Sequence, residues 1–303
     1  MSANPNPSSP EATPLAALLE RWLDQCTFPE PGSSLDCAVS GGTDSLALLA
    51  LAVASGLEVT AIHVDHGQRT GSDSEADTVA TAAATLGADF RAERVDVQAG
   101  SNIEARMRAA RYGVLGTNVA TGHTLDDQAE TMLINLLRGA GLPGLGAMQP
   151  GVRRPILSLR RADTAAICDA LGWTPISDPS NSDPSFVRNR VRHELIPLLD
   201  DISERDIAPI LARTSGHLRS AHDALDELAR SIDPTDARAV AAAPAAVAAL
   251  ALSQWIRSQT GSEHPVDTAS LVRVLEVARG DRVAAEIVGG HRISRSAQRL
   301  RLG

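Results

Sequence analysis

A hexapeptide with two adjacent glycines, Ser40-Gly41-Gly42-Thr43-Asp44-Ser45, is the segment of this sequence best suited to bind an anion. It follows the apolar run Leu35–Val39, which predicts a strand, and precedes Leu46–Ala54, whose apolar spacing predicts a helix. Glycine lets the backbone turn tightly, and the N–H groups at a helix N-terminus attract negative charge. We therefore expect this glycine loop, residues 40–45, to hold phosphate groups through its backbone N–H groups and its two serine hydroxyls.

Asp44 is the acidic residue of the glycine loop. A carboxylate beside phosphates repels them unless a cation lies between, and Mg²⁺ is usually held by one or two carboxylates together with phosphate oxygens. We expect Asp44 to bind Mg²⁺. In the alternative interpretation the loop is an ordinary glycine turn, in which Asp44 or Ser45 caps the helix.

An acidic pair with a histidine lies in the segment Gly122–Thr131, which begins at the end of the fourth apolar run of the chain. His123, Asp127 and Glu130 are spaced i, i+4 and i+7, so on a helix they share one side. Two carboxylates on that side would suit an ammonium or amino group of a substrate. The alternative is a capping box formed by Thr124 and Asp127.

Arginines that could bind phosphate recur in two segments. Asn102–Tyr112 predicts a helix that contains Arg111, and in a later segment Arg188 and Arg192 are one helical turn apart. A guanidinium group donates in a fork that matches phosphate oxygens. In the alternative interpretation both segments are solvated basic faces.

His63 begins a polar segment at the end of the second apolar run. Ligands of doubly wound sheets bind at the carboxyl ends of the strands, so a contact with the adenine of a nucleotide is expected here. The alternative is that this histidine only satisfies a hydrogen bond of the loop.

The elements that must position these residues alternate along the chain. Short apolar runs are separated by longer helical patterns, which is typical of βαβ units in a parallel sheet. Beyond residue 140 a turn rich in glycine and proline, a short helix and a polar loop follow, and from about Asp206 the pattern is mainly helical. We expect a disordered tail in residues 1–13, a doubly wound parallel α/β sheet in 14–205, and a smaller, mainly helical domain in 206–303. The strands are expected at Leu35–Val39, Val59–Val64, Phe90–Val95 and Val119–Gly122, and the helices at Ser45–Ala54, Ser74–Leu86, Asn102–Leu115 and Leu125–Arg138.

The composition excludes several classes of protein. The chain has 303 residues, 43% of them hydrophobic, which is enough for about two globular domains. Its 28 basic residues are all arginine, and without lysine there is no Schiff-base enzyme and no Walker-type phosphate loop. Three cysteines without metal-binding spacing, no membrane span and no secretory signal predict a cytoplasmic protein.

The glycine loop resembles the SGGxDS loop of the PP-loop ATP pyrophosphatases, which cleave ATP to AMP and pyrophosphate. Within that superfamily, four further segments are similar to the tRNA(Ile)-lysidine synthetase family. The chain has Asp65 and Gln68 where the family has Asn and Leu, and a shorter connection than usual after Tyr112. The four segments are His63–Arg69 for the family's HVNHGLR, Glu104–Tyr112 for EARxxRY, Gly122–Thr131 for GHxxDDxxET, and Asp178–Leu199 for DPSN…RNxxRHELIPLL.

The resemblance implies an enzyme that adenylates the wobble cytidine of a CAU-anticodon tRNA(Ile) with ATP and Mg²⁺, and then attaches L-lysine through its ε-amine. It implies lysine binding by Asp127 and Glu130. It implies ATP binding by Ser40, Gly41, Gly42, Thr43, Asp44, Ser45, His63 and His123, and catalytic roles for Asp44, Arg111, His123, Arg188 and Arg192.

Two other functions stay open. The chain could be a PP-loop ligase or amidotransferase acting on a small molecule, or a nucleotide-binding module without turnover. The net charge of −9 argues against a nucleic-acid partner, whereas seven arginines against three acids between Arg273 and Arg301 argue for one. The sequence does not determine the oligomeric state, for which we consider a homodimer.

Overall fold

The computed structural model describes residues 14–65, 72–95, 106, 110, 113–116, 118–262, 265–287 and 289–303, and for residues 72–74, 179 and 180 it describes only the backbone. The chain divides into two compact units, residues 1–215 and 216–303. The tail predicted at 1–13 and most of the helix predicted at Asn102–Leu115 lie outside the described residues, although residues 113–115 are helical.

The first unit contains a four-stranded parallel sheet. Cys37 of the first strand pairs with Ala61 on one side and with Ala120 on the other. Because parallel neighbours need crossover connections, the predicted doubly wound α/β class is confirmed. The strands are β1 (Ser34–Ala38), β2 (Glu58–Asp65), β3 (Asp89–Arg94) and β4 (Ala120–Thr121), in the spatial order β3-β2-β1-β4.

One helix of the first unit is buried on every side. Helices α1 (Pro14–Leu23), α2 (Thr43–Ala54) and α3 (Ser72–Leu86) accompany the strands. After Ser45, α2 contains only apolar residues, so it is stable only when its whole surface is covered. The glycine loop is therefore attached to a helix that packing holds in place. The α2 residues that are at most 1% exposed include Leu46, Leu48, Leu49 and Leu51.

The strand order reverses between β1 and β4, and in open α/β sheets this is where the ligand crevice lies. The glycine loop follows β1, and the start of Gly122–Thr131 follows β4. A Cβ at Gly122 would lie 2.6 Å from the carbonyl oxygen of Asp44. Only glycine therefore lets these two segments approach so closely.

The second half of this unit adds further helices, most of them short. The π-helical turn Val191–Leu195 packs through Val191 against Leu133 and Ile134 of the helix that follows β4. This contact brings the side chains of residues 188–192 towards that helix. The helices are α4 (Leu125–Leu137), α5 (Leu142–Leu145), α6 (Arg161–Ala170), α7 (Val187–Arg190) and α8 (Ile196–Ser203), with a 3-10 turn at Pro179–Ser182.

The second unit is mainly helical, as expected, and adds a three-stranded antiparallel sheet. Helix α9 (Ile207–Arg230) contains the division between the units, slightly beyond the boundary expected at residues 205–206. Among the described residues, no helix is both long and apolar enough to cross a membrane. The other elements are α10 (Ala237–Ala242), α11 (Ala245–Thr260), α12 (Thr268–Arg279), β5 (Ala284–Glu286), β6 (Arg292–Ser296) and β7 (Arg299–Leu302).

Candidate active site

The glycine loop has the backbone geometry of an anion-binding turn. Gly42 is the N-cap of α2, and it makes no side-chain cap hydrogen bond. The cap therefore offers the first N–H groups of the helix no side-chain acceptor, although the Ser45 N–H donates to the Gly42 carbonyl at 3.1 Å. The Ser45 hydroxyl instead donates to the Gly42 carbonyl at 2.8 Å and accepts from the Ser40 N–H at 3.1 Å, which closes the loop. The alternative interpretation was that Asp44 or Ser45 caps the helix. In the structure the N-cap is Gly42, and both residues lie inside the first turn.

Gly41 has a backbone conformation that favours glycine, and a residue from a distant part of the chain packs close to it. Its φ is +84°, in the left-handed region. A Cβ on this residue would lie 2.4 Å from Cδ1 of Ile176, whose N–H donates to the Gly41 carbonyl at 2.9 Å. The segment after α6 thus fixes the glycine loop from a distant part of the sequence.

The Asp44 carboxylate accepts a hydrogen bond from Thr164 of α6. The Thr164 hydroxyl donates to Asp44 Oδ1 at 2.5 Å, and Nε of Arg161 lies 3.9 Å from Oδ2. Burial raises the pKa of Asp44, the Thr164 hydrogen bond lowers it by less, and the charge of Asp127 raises it further.

The surroundings of Asp44 fit a metal that takes few protein ligands. In the described ranges, no group of three or more His, Cys, Asp or Glu side chains is arranged to hold a metal ion. Mg²⁺ needs only one or two carboxylates when phosphate oxygens and water complete its coordination. Asp44 therefore suits Mg²⁺ as a single protein ligand beside bound phosphates.

We expect Asp44→Asn to raise the melting temperature of the chain at neutral pH. The folded-state pKa of Asp44 lies above its unfolded value, so its stabilising contribution is present below the unfolded pKa and is lost as the pH rises through the folded pKa. At neutral pH the buried carboxylate therefore destabilises the fold, and asparagine removes that effect. The gain should disappear below about pH 4, where an ordinary aspartate is protonated.

Asp127→Asn is the control of opposite sign, because the pKa of Asp127 is lowered in the folded chain. This variant should melt at a lower temperature than the parent chain at neutral pH. Thermal unfolding followed between about pH 4 and pH 8 tests both variants. Equal shifts of the same sign would show that the burial and charge argument for Asp44 is wrong.

Asp127 and Glu130, the carboxylate pair, lie in the first two turns of α4 and are 7% and 0% exposed. Thr124 is the N-cap of α4, and its backbone N–H donates to Asp127 Oδ2 at 2.9 Å. The capping box considered from the sequence is therefore present. It uses Oδ2 of Asp127 and leaves Oδ1 for other partners.

Three arginines surround the carboxylate pair, and we call Arg161, Arg188 and Arg192 the arginine cluster. Nη2 of Arg161 lies 2.5 Å from Asp127 Oδ1, and its Nη1 lies 2.8 Å from Glu130 Oε1. Nε of Arg192 lies 2.7 Å from the same Glu130 oxygen. Arg188 is looser, at 3.9 Å from each carboxylate. With Asp44, the site has three carboxylates and three guanidinium groups.

Asp127 and Arg161 hold each other in the ionised state. Burial raises the pKa of Asp127, but the charge of Arg161, the Thr124 N–H, His123 and Arg188 together lower it below its ordinary value. For Arg161, burial lowers the pKa, and the carboxylates of Asp127, Glu130 and Asp44 raise it above its ordinary value. The Arg161–Asp127 pair is therefore charged on both sides around neutral pH.

Arg161 is not among the site residues predicted from the sequence. It begins α6, where the helix dipole disfavours a cation. Two adjacent arginines at a helix start therefore indicate that their charges pair with carboxylates from other elements of the fold. The neighbouring Arg160 donates to Asp126 from Nε at 3.1 Å and from Nη2 at 2.8 Å, and it also pairs with Asp206. These bonds anchor the start of α6 beside α4.

Arg188 and Arg192 lie beside the carboxylate pair, a position that the sequence did not predict. The side-chain amide of Asn189 donates to the Asp183 carbonyl at 2.8 Å, and Nε2 of His193 lies 3.3 Å from the Asn181 carbonyl. The polar loop before α7 thus holds the arginine-bearing segment. The π-helical turn that contains Arg192 was not foreseen from the sequence.

The two predicted histidines have different surroundings. His123 precedes the N-cap of α4, and its Nδ1 lies 2.7 Å from Thr121 Oγ1. His63 is 2% exposed, with Nδ1 3.0 Å from the Val39 carbonyl and Nε2 without a hydrogen-bond partner in the described part of the chain. His63 therefore supports the end of β1. Arg111, and residues His66–Arg69 of the polar segment, lie outside the described residues.

Known proteins match this chain over most of its length. Residues 15–199 match the PP-loop domain family. The tRNA(Ile)-lysidine synthase of Nocardia farcinica is 42% identical over 262 residues, which cover 81% of this chain and 82% of the relative. The chain belongs to the tRNA(Ile)-lysidine synthase family. The relative from Rhodococcus erythropolis, of the same name, is 41% identical and covers 82% of this chain and 81% of its own.

The match to the PP-loop domain family covers the site, because all the site residues described above except Asp206 lie within residues 15–199. Among solved structures, the U34-tRNA thiolase NcsA from Methanococcus maripaludis is similar at 16% identity and a TM-score of 0.52, covering 68% of this chain and 78% of that one. This likeness shows a shared fold.

The cysteines of this family member are not arranged for thiolate chemistry. All three are free thiols. Burial raises the pKa of Cys26 and Cys37 to about 12 and that of Cys168 to about 11. They are therefore protonated at neutral pH, whereas a cysteine nucleophile reacts as its thiolate.

Proposed function

We propose that this chain ligates L-lysine to the wobble cytidine of a CAU-anticodon tRNA(Ile), using ATP and giving lysidine, AMP and pyrophosphate. In the first step the carbonyl oxygen of the cytidine bonds to the α-phosphorus, and the bond to the leaving pyrophosphate breaks. In the second step the ε-amine of lysine bonds to the activated ring carbon, and the carbon–oxygen bond to AMP breaks. The family of the chain supports this reaction over one on a small molecule.

The observation that carries the proposal is the junction of a phosphate cradle with a buried carboxylate pair. The glycine loop presents the start of α2 to an anion, and Arg161 connects its Asp44 to Asp127 and Glu130. Oriented N–H groups and guanidinium groups stabilise the negative charge that develops as a phosphoryl group is transferred. One site can therefore bind the triphosphate and the cationic amino acid side by side.

The roles that the family resemblance implies suit these charges. Ser40 to Ser45 bind ATP together with His123, and Asp44 holds Mg²⁺, which would neutralise phosphate charge. Arg188 and Arg192, together with Arg111, bind phosphates. Asp127 and Glu130 bind the ammonium groups of lysine. His63 contributes to ATP binding by supporting the strand end before the loop.

We propose that both units, residues 1–215 and residues 216–303, contact the tRNA. On β6 and β7 the core residues Ile293 and Leu300 are buried, whereas Arg292 and Arg301 are exposed. Exposed arginines suit phosphate contacts, whose affinity falls as salt rises. We further propose that the chain acts in the cytoplasm. The homodimer stays a prediction.

We expect stable incorporation of labelled lysine into an unmodified tRNA(Ile) transcript when the purified chain is given ATP and Mg²⁺. The control is a CAU-anticodon tRNA(Met), which shares the anticodon and should stay unlabelled. Incorporation without discrimination would contradict the assigned tRNA partner. ATP cleavage to AMP without any incorporation would favour a PP-loop ligase of small molecules.

A further inference from the structure

The carboxylate pair proposed for lysine is already occupied by cations of the chain itself. Arg161 contacts both carboxylates at 2.5 and 2.8 Å, and Arg192 contacts Glu130 at 2.7 Å. An ammonium group would need the same oxygens at the same distances. Lysine therefore competes with guanidinium groups for Asp127 Oδ1 and for Glu130.

The guanidinium groups cannot simply leave. Glu130 is 0% exposed and Asp127 is 7% exposed, so neither carboxylate can be hydrated in place of its partner. A buried carboxylate without a counter-charge is strongly destabilising. The arginines must be exchanged for another cation rather than withdrawn.

Arg161 is the member of the arginine cluster placed to move towards phosphate. Its Nε lies 3.9 Å from Asp44 Oδ2, while its two Nη atoms hold the carboxylate pair. Asp44 belongs to the glycine loop, so phosphates in that loop lie within the reach of the same side chain. Its side chain is 27% exposed, which leaves it room to turn. Phosphate accepts the guanidinium fork as a carboxylate does.

We propose that bound ATP draws Arg161 from the carboxylate pair to its phosphates, and that lysine then takes the oxygens which Arg161 releases. This inference rests on the proposed function and adds to it the coupling of the two substrates. Each substrate compensates for the charge that the other displaces, so ATP and lysine bind with positive cooperativity. Arg161 is the positioning residue of this exchange.

The coupling must act equally in both directions. If ATP raises the affinity for lysine by some factor, lysine raises the affinity for ATP by the same factor. Such factors are typically about 5-fold to 150-fold. A tight complex with either substrate alone is not expected.

Calorimetric titration of the purified full chain tests the coupling. Lysine is titrated with and without Mg²⁺ and α,β-methylene ATP, in which the bond that would be cleaved is blocked. We expect the analogue to tighten lysine binding at least about 5-fold, and lysine to tighten analogue binding equally. AMP, which lacks the β- and γ-phosphates, should produce less tightening.

Two variants separate coupling from a merely structural effect. In Arg161→Gln the ratio of lysine affinities with and without the analogue should fall towards one. Arg190→Gln is the matched control, because Arg190 pairs with exposed Glu194 on the same segment as the cluster, and its ratio should match that of the parent chain. General damage to the site would weaken both titrations and leave the ratio unchanged.

The titrations and the incorporation assay test the exchange of Arg161 and the proposed function separately. Equal lysine affinity in both titrations, or no detectable lysine binding in either, would overturn the exchange of Arg161. Lysine incorporation into tRNA(Ile), measured on the same preparation, decides the proposed function independently. A chain that incorporates lysine without coupling would keep the function and lose this inference.

Discussion

Gly122→Ala is expected to lower kcat/KM for lysine incorporation by about 100-fold while the chain stays folded. The new Cβ would lie 2.6 Å from the Asp44 carbonyl oxygen and 2.8 Å from its carbonyl carbon. Both are backbone atoms, so the strand end of β4 and the glycine loop must move apart. Displacements of about 1 Å between reacting groups cost rates of that order.

Steady-state kinetics with tRNA(Ile) measures this effect, and thermal unfolding shows whether the fold is retained. Gly216→Ala is the control, because a Cβ there meets nothing within 4 Å and the residue lies inside α9. It should keep full activity and gain up to about 1 kcal/mol of stability, since alanine is the better helix former. Full activity of Gly122→Ala would refute the close approach of the two segments.

Glu130→Gln should reduce the free energy of unfolding by about 3 kcal/mol, at the lower end of the effect of removing one partner of a buried ion pair. The substitution keeps the volume and removes the charge that holds Arg161 and Arg192 at 2.8 and 2.7 Å. The lower end applies because about a quarter of each arginine side chain stays exposed to water, at 27% and 25%.

Urea unfolding of Glu130→Gln beside Glu194→Gln makes the comparison direct. Glu194 also pairs with an arginine, Arg190 at 2.9 Å, but that pair is exposed and spaced i, i+4. Its loss should change stability by no more than about 0.5 kcal/mol. Equal losses in the free energy of unfolding would mean that burial does not make the ion pairs of Glu130 more stabilising than the exposed pair of Glu194.

The positions of the glycine loop and of the start of α4 could be predicted because they depend on local sequence. The glycine loop follows a strand and opens a helix, and Thr124 with Asp127 forms a capping box at the start of another. Helical and strand periodicity, turns and caps involve residues a few positions apart. The boundaries of β1, α2, α3 and α4 accordingly differ from those expected by only a few residues.

The partners of the charged residues could not be predicted in the same way. Asp127 was expected to face a substrate, whereas the structure pairs it with Arg161, a residue of another helix. The sequence singled out Arg188 and Arg192 as phosphate ligands and did not place them on Glu130. These ion pairs depend on how α4, α6 and α7 pack against one another. Local sequence patterns do not predict that packing.

The sequence by itself determined the class of fold, the place of the glycine loop and the residue types of the site, because alternation, glycine spacing and motifs are local properties of the chain. Only the tertiary structure decided that Arg161 joins Asp44 to the carboxylate pair and that His63 is buried. Burial and charge pairing depend on side chains that are far apart in sequence. Burial and charge pairing together determine which carboxylates can bind a substrate and which already pair with arginines of the chain.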